Sequence, residues 1–187
     1  MITNTELCNA IIYRLQQQGH GSEAMNCGHL IRVAYLLNII HYLNFGESIV
    51  DDDQLSQYTV SIYGPFNKLI SENFDGVWEQ RAKTLADAIQ TTTLVDPTDM
   101  FTVEVKPFDW GQLSPAVQQT VTTYAEALWS INPEQLCDYF ADDPQVCHLL
   151  TLIEKEDPAA DQDLPYSFAQ SVKYFTTNPF WKAKVKA

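Results

Sequence analysis

Apolar residues recur three and four positions apart along most of the chain, which is the spacing of one face of an α-helix. The pattern predicts a first helix over about 5–18, with Thr5 as its N-cap, and a second over about 27–44. Further helices are predicted over about 65–74, 77–91, 114–130 and 133–153, with a break before Pro144. A polar residue followed by proline marks three of these starts, at Ser114-Pro115, Asn132-Pro133 and Asp143-Pro144.

The second predicted helix is apolar around most of its circumference, which is typical of a helix that is packed on several sides. Residues 58–63 and 101–105 instead alternate apolar and polar positions, which indicates short strands. We expect these two segments to pair. The fold class predicted is therefore mainly α, a compact multi-helix bundle around a central hydrophobic helix with a small two-stranded ribbon.

The length of 187 residues suits one hydrophobic core. We expect a helical domain over residues 1–154, followed over 155–187 by an acidic linker and a helical tail. The linker is rich in acids and prolines up to about residue 164, and Asn178-Pro179 breaks the tail. We expect the tail to pack on the same domain.

The net charge of −13 is concentrated in one part of the chain. Residues 84–163 contain fifteen Asp and Glu but only two basic residues, Lys106 and Lys155, so this stretch alone carries the whole net charge. Binding to a phosphate backbone depends on Lys and Arg, so direct contact with nucleic acid is not expected. A basic partner protein is electrostatically favoured, and a solubilising surface is the alternative interpretation.

The motifs of common active sites and metal sites are missing from the sequence. It has no phosphate-binding glycine loop, no HExxH and no GxSxG, so we predict no catalytic residues and no enzyme activity. Cys27-Gly28-His29 and Cys147-His148 lack a second pair of ligands at zinc spacing, so no metal or other cofactor is predicted. The four cysteines fall in helical patterns and are expected to be reduced.

The location expected from the sequence is the cytoplasm. The longest apolar run, from Leu30 to Leu43, is shorter than the ~20 residues that cross a bilayer, and no membrane association is expected. The N-terminus lacks the basic and apolar regions of a signal peptide.

Several blocks of sequence occur in an order that is similar to a known family. A helix from Leu7 to Leu15 precedes the hydrophobic run from His29 to Tyr35, and Tyr63-Gly64-Pro65 follows an acidic turn at Asp51 to Asp53. These blocks resemble the Panacea domain family, which is associated with phages, with antitoxins and with proteolytic adaptors. Near the C-terminus, Asn178 to Lys182 is similar to the terminal proline–tryptophan element of that family.

The resemblance implies an antitoxin-like protein that binds and neutralises a toxin by direct contact. The alternative is an acidic, phage-encoded inhibitor or nucleic-acid mimic that blocks a host defence or replication protein. Pro65 is expected to begin a helix that presents Phe66 and Lys68 to the partner, and the acidic segment is expected to meet a basic surface. The predicted partner-binding residues are Tyr63, Gly64, Pro65, Phe66, Lys68, Asp138, Asp142 and Asp143.

Overall fold

The computed structural model of the chain describes residues 1–20, 25–67, 91–96, 100–103 and 108–185. The α-helices of this part are α1 Asn4–Gln17, α2 Cys27–Phe45, α3 Asp52–Leu55, α4 Pro115–Trp129, α5 Pro133–Ala141, α6 Pro144–Glu154 and α7 Phe168–Thr177. The strands are β1 Met25–Asn26, β2 Tyr58–Ser61, β3 Gly64–Asn67, β4 Thr91–Asp96 and β5 Met100–Val103. The prediction of a mainly helical bundle with a small antiparallel sheet is confirmed.

The α2 helix is the centre of the bundle, as its apolar sequence predicted. Fourteen of its 19 residues are buried, and it contacts α1, α4, α5, α7 and the strands β1 and β3. It begins at Asn26, whose side chain accepts a hydrogen bond from the His29 amide, and it ends at Gly46 in the left-handed conformation. Both ends lie within two residues of their predicted positions.

Local signals also define the ends of the other long helices. Ser114, Asn132 and Asp143 each cap a helix whose first residue is proline, and all three starts were predicted. The N-cap of α1 was predicted wrongly. It is Thr3 and not Thr5, because Thr3 and Glu6 form a reciprocal capping box at the start of α1.

The strands do not pair as the alternation suggested. Strand β2 forms a hairpin with β3, in which Val60 lies opposite Pro65, while β5 pairs with β4 and β1. The predicted ribbon between residues 58–63 and 101–105 is therefore wrong, and so is the helix expected to begin at Pro65. The rest of that helix lies outside the described residues, and so does the helix predicted over 77–91 except for Thr91, which begins β4 and is not helical.

The C-terminal segment contributes to the same hydrophobic core as α2. Tyr166, Phe175 and Trp181 are buried in it, and the Tyr35 hydroxyl of α2 donates a hydrogen bond to Ser171 of α7 at 2.9 Å. After α7 the chain turns at Asn178 and Pro179 into a short 3-10 helix, Phe180–Ala183. Among the described residues, no helix is long and apolar enough to span a membrane.

Replacement of Leu37 by alanine tests the central position of α2. Leu37 is fully buried, whereas Leu43 on the same helix is 37% exposed. We expect Leu37→Ala to lower the free energy of unfolding by about 2 to 5 kcal/mol, because a buried leucine leaves a cavity. Leu43→Ala should cost clearly less. Urea unfolding followed by circular dichroism measures both, and equal losses would contradict the central position of Leu37.

Candidate functional site

The turn at Tyr63 and Gly64 packs directly on helix α5. Gly64 has a φ of +104°, and a Cβ built on it would lie 2.6 Å from Cγ of Phe140. Both the backbone angle and the close approach require glycine. The fully buried ring of Phe140 thus fixes the β2–β3 hairpin against α5, and two regions that were predicted separately as partner-binding are brought together.

Only part of the predicted turn is accessible to a partner. Tyr63 is 56% exposed and Phe66 is half-buried, but Gly64 and Pro65 are buried. Gly64 and Pro65 therefore shape the hairpin without offering a contact surface, which corrects their predicted role. Lys68 lies outside the described residues.

The three predicted acids separate into two exposed residues and one buried residue. Asp138 and Asp142 are exposed and lie four residues apart, on one face of the last turns of α5. Asp143 is fully buried, where it accepts hydrogen bonds from the Gln145 amide and from the Tyr166 hydroxyl, each at 2.8 Å. Its side chain caps α6 and ties the C-terminal segment to it, so its prediction as a partner contact is corrected.

Asp138 and Asp142 form one side of a cleft between α5 and the C-terminal segment, which has a volume of about 420 Å³. Tyr139 stacks on Phe180, with ring centroids 3.7 Å apart and planes inclined by 6°. The Tyr174 hydroxyl of α7 donates to the Tyr139 carbonyl at 3.3 Å. Asn178 and Pro179 complete the lining. We call this feature the acidic cleft.

The electrostatics of the acidic cleft are unfavourable without a cation. The C-terminal end of a helix carries a partial negative charge, so Asp138 and Asp142 lie where carboxylates destabilise α5, and they also repel each other. Burial, and then the charge of Asp142, raises the pKa of Tyr174, which keeps its hydroxyl neutral. A positively charged group in the cleft would relieve these repulsions, and its apolar part would lie beside aromatic rings.

The aromatic residues of the cleft were not identified from the sequence. Tyr139 lies three residues before Asp142, so helical spacing could have placed it beside that acid. Tyr174 and Phe180 carry no such signal, because their approach depends on how the C-terminal segment folds back.

The cysteine–histidine motifs are not part of a metal-binding group in the described residues. No group of three or more His, Cys, Asp or Glu side chains within those ranges is placed to hold a metal ion. His29 forms a hydrogen bond through Nε2 with the Trp129 carbonyl at 3.1 Å, and burial lowers its pKa to about 4. Cys147 is exposed and its thiol donates to the Ala141 carbonyl.

Comparison with known proteins does not add an assignment. No protein family, no curated protein and no solved structure was found to match this chain.

Asp143 and its neighbour Asp142 form a matched pair, because Asp143 is buried and bonded within the fold whereas Asp142 is exposed at the acidic cleft. Asp143→Ala removes a helix cap and leaves the buried Tyr166 hydroxyl without an acceptor, so we expect a loss of about 2 to 4 kcal/mol of stability. Asp142→Ala should change stability by no more than about 0.5 kcal/mol. Thermal or chemical unfolding distinguishes the two, and a neutral Asp143→Ala variant would show that this carboxylate is not structural.

Gly64 and Gly46 form a second matched pair, since both have a positive φ but only Gly64 faces another residue. Alanine at Gly46 should cost about 1 to 2 kcal/mol, which is the conformational cost alone. Gly64→Ala should cost more, because the methyl group also displaces Phe140. If chemical unfolding gives equal losses, the hairpin is not held by the Phe140 contact.

Proposed function

We propose that this protein is an antitoxin-like binding protein that neutralises a basic partner protein by direct contact. The observation that carries the proposal is the acidic cleft, which is lined by Asp138 and Asp142 together with Tyr139, Tyr174 and Phe180. The antitoxin role is what the sequence resemblance to the Panacea domain family implies.

A lysine or arginine side chain of the partner matches the chemistry of the cleft. Its charge would interact with Asp138 and Asp142, and its apolar stem would lie against the rings of Tyr139 and Phe180. Charge-assisted hydrogen bonds to carboxylates are among the stronger polar contacts. The cleft is of a size that admits one such side chain.

The chain segment that contributes Asp138 and Asp142 to the cleft has the same sign of charge. Between residues 108 and 163 the exposed acids include Asp109, Glu134, Asp138, Asp142, Glu154, Glu156, Asp157, Asp161 and Asp163. Lys155 is the one basic residue in this range. A field of this kind accelerates the approach of a basic partner, and salt screens it over ~8 Å at physiological ionic strength.

The first test measures binding of the partner that the protein captures from its native host. Asp138→Asn with Asp142→Asn should weaken binding at least tenfold, because it removes both charges at almost unchanged shape. The matched control is Asp52→Asn with Asp53→Asn, which removes two exposed charges at α3, away from the cleft. Surface plasmon resonance at several salt concentrations should show an association rate that falls as salt rises.

Equal binding by the two double variants would rule out the acidic cleft as the contact.

A growth assay then tests the function itself. Expression of the captured partner alone should arrest growth, and co-expression of the wild-type protein, but not of the cleft variant, should restore it. A non-toxic partner that nucleic acid competes away from this protein would instead support the acidic inhibitor or nucleic-acid mimic.

A further inference from the structure

Arg32, in the second turn of α2, is a buried cation. Its side chain is 8% exposed, and no carboxylate in the described part of the chain forms an ion pair with it. Its Nε donates a hydrogen bond to the Tyr63 carbonyl at 2.8 Å. The two terminal nitrogens of the guanidinium have no hydrogen-bond acceptor among the described residues. A guanidinium has five N–H donors, and the described residues accept from one of them.

The guanidinium lies against the positive end of the helix. A Cβ built on Gly28, the second residue of α2, would lie 3.0 Å from Nη1 of Arg32. The first amides of a helix carry a partial positive charge and lack acceptors within the helix. Asn26 caps the His29 amide, but its side chain is neutral. The guanidinium, which carries a full positive charge, therefore lies next to the positive end of the α2 helix dipole.

The groups around Arg32 balance its charge only in part. The Tyr63 ring centroid lies 5.8 Å from Cζ, within the range of a cation–π contact. Burial raises the pKa of the Cys137 thiol, which is therefore not a thiolate at neutral pH. Burial lowers the pKa of Arg32, but a guanidinium stays protonated in proteins. A buried charge without an opposite charge is costly, and among the described residues no carboxylate neutralises Arg32, so an anion at this place would be stabilised.

A second buried polar atom lies one turn away on the same face of α2. His29 is 2% exposed, and its Nδ1 has no hydrogen-bond partner. Its Nε2 must carry the proton, because the Trp129 carbonyl that it contacts can only accept. The unprotonated Nδ1 can only accept, so His29 is not a ligand for an anion, and the donors available there are those of Arg32 and the first amides of α2.

We propose that Arg32 and the N-terminal turn of α2 form a binding site for a small oxyanion, a carboxylate or a phosphate group. Two oxygens of the anion would accept from Nη1 and Nη2, in the paired geometry that arginine forms with both kinds of group. Gly28 leaves room for the guanidinium beside the first turn, and the exposed Tyr63 forms the outer wall. The site does not involve the acidic cleft, so the two proposals can fail independently.

The test uses the full chain with sodium acetate and sodium phosphate as probes, each compared with sodium chloride at equal ionic strength and pH 7. At least one oxyanion should raise the melting temperature in a saturable way, because a ligand that binds the folded state stabilises it. Arg32→Met should abolish the saturable part. The control is Lys173→Met, which removes an exposed cation of α7 and should leave the response unchanged.

Gly28→Ala provides a second variant that keeps the arginine. Its methyl group would displace Nη1, so the apparent Kd for the oxyanion should rise at least severalfold while the net charge stays the same.

NMR of the wild-type protein gives an independent readout. The Nε–H resonance of Arg32, which is assigned by its loss in Arg32→Met, should shift on titration with the same midpoint as the melting temperature. The sequence contains only two other arginines, which simplifies the assignment.

The relative response to acetate and phosphate distinguishes a carboxylate from a phosphate ligand. A melting temperature that rises equally with chloride would overturn the proposal. So would a saturable response that Arg32→Met retains, or an Arg32 Nε–H resonance that no oxyanion shifts.

Discussion

Burial of the α2 helix on all sides requires a hydrogen-bond partner for each polar side chain along it, and these partners connect the surrounding elements. The Asn38 side chain accepts from the amides of Ile49 and Val50, which holds the segment after the helix. His41 hydrogen-bonds Thr120 of α4 at 2.8 Å. An unpaired polar group in this environment would cost about 1 to 3 kcal/mol, so these contacts select one arrangement of the neighbouring elements.

The same requirement links α2 to the C-terminal segment. Tyr35 of α2 donates to Ser171, and Ser171 also accepts from the Gln145 side chain of α6 at 3.1 Å. Asp143 and Tyr166 form a second connection beside it. Because these bonds fix α7 relative to α5 and α6, they also fix the position of Phe180 against Tyr139. The shape of the acidic cleft thus depends on a buried polar network that does not itself line the cleft.

Helix α5 lies between the two candidate binding features, which are opposite in charge. Its exposed face carries Asp138 and Asp142 beside the acidic cleft. Phe140 contacts the Gly64 turn, and the carbonyl and ring of the adjacent Tyr63 hold the guanidinium of Arg32. In each feature, a charge lies beside a helix end of the same sign. Asp138 and Asp142 lie at the negative C-terminal end of α5, and Arg32 lies at the positive N-terminal end of α2. Such an arrangement lowers stability, and a ligand of opposite charge would relieve it.

The sequence by itself determined the mainly helical fold class, the central position of α2 and the helix starts at Ser114, Asn132 and Asp143. These features depend on periodicity and capping, which act within a few residues. The β2–β3 hairpin and the burial of Asp143 were decided by the tertiary structure. Pro65 is compatible locally with a helix start, but Gly64 meets Phe140 of α5, and Pro65 itself pairs across to Val60. Likewise, a capping aspartate is usually exposed, whereas Asp143 is buried and accepts a hydrogen bond from the distant Tyr166. Contacts between residues far apart in the chain leave no periodic signal, so neither the acidic cleft nor the surroundings of Arg32 could be read from spacing alone.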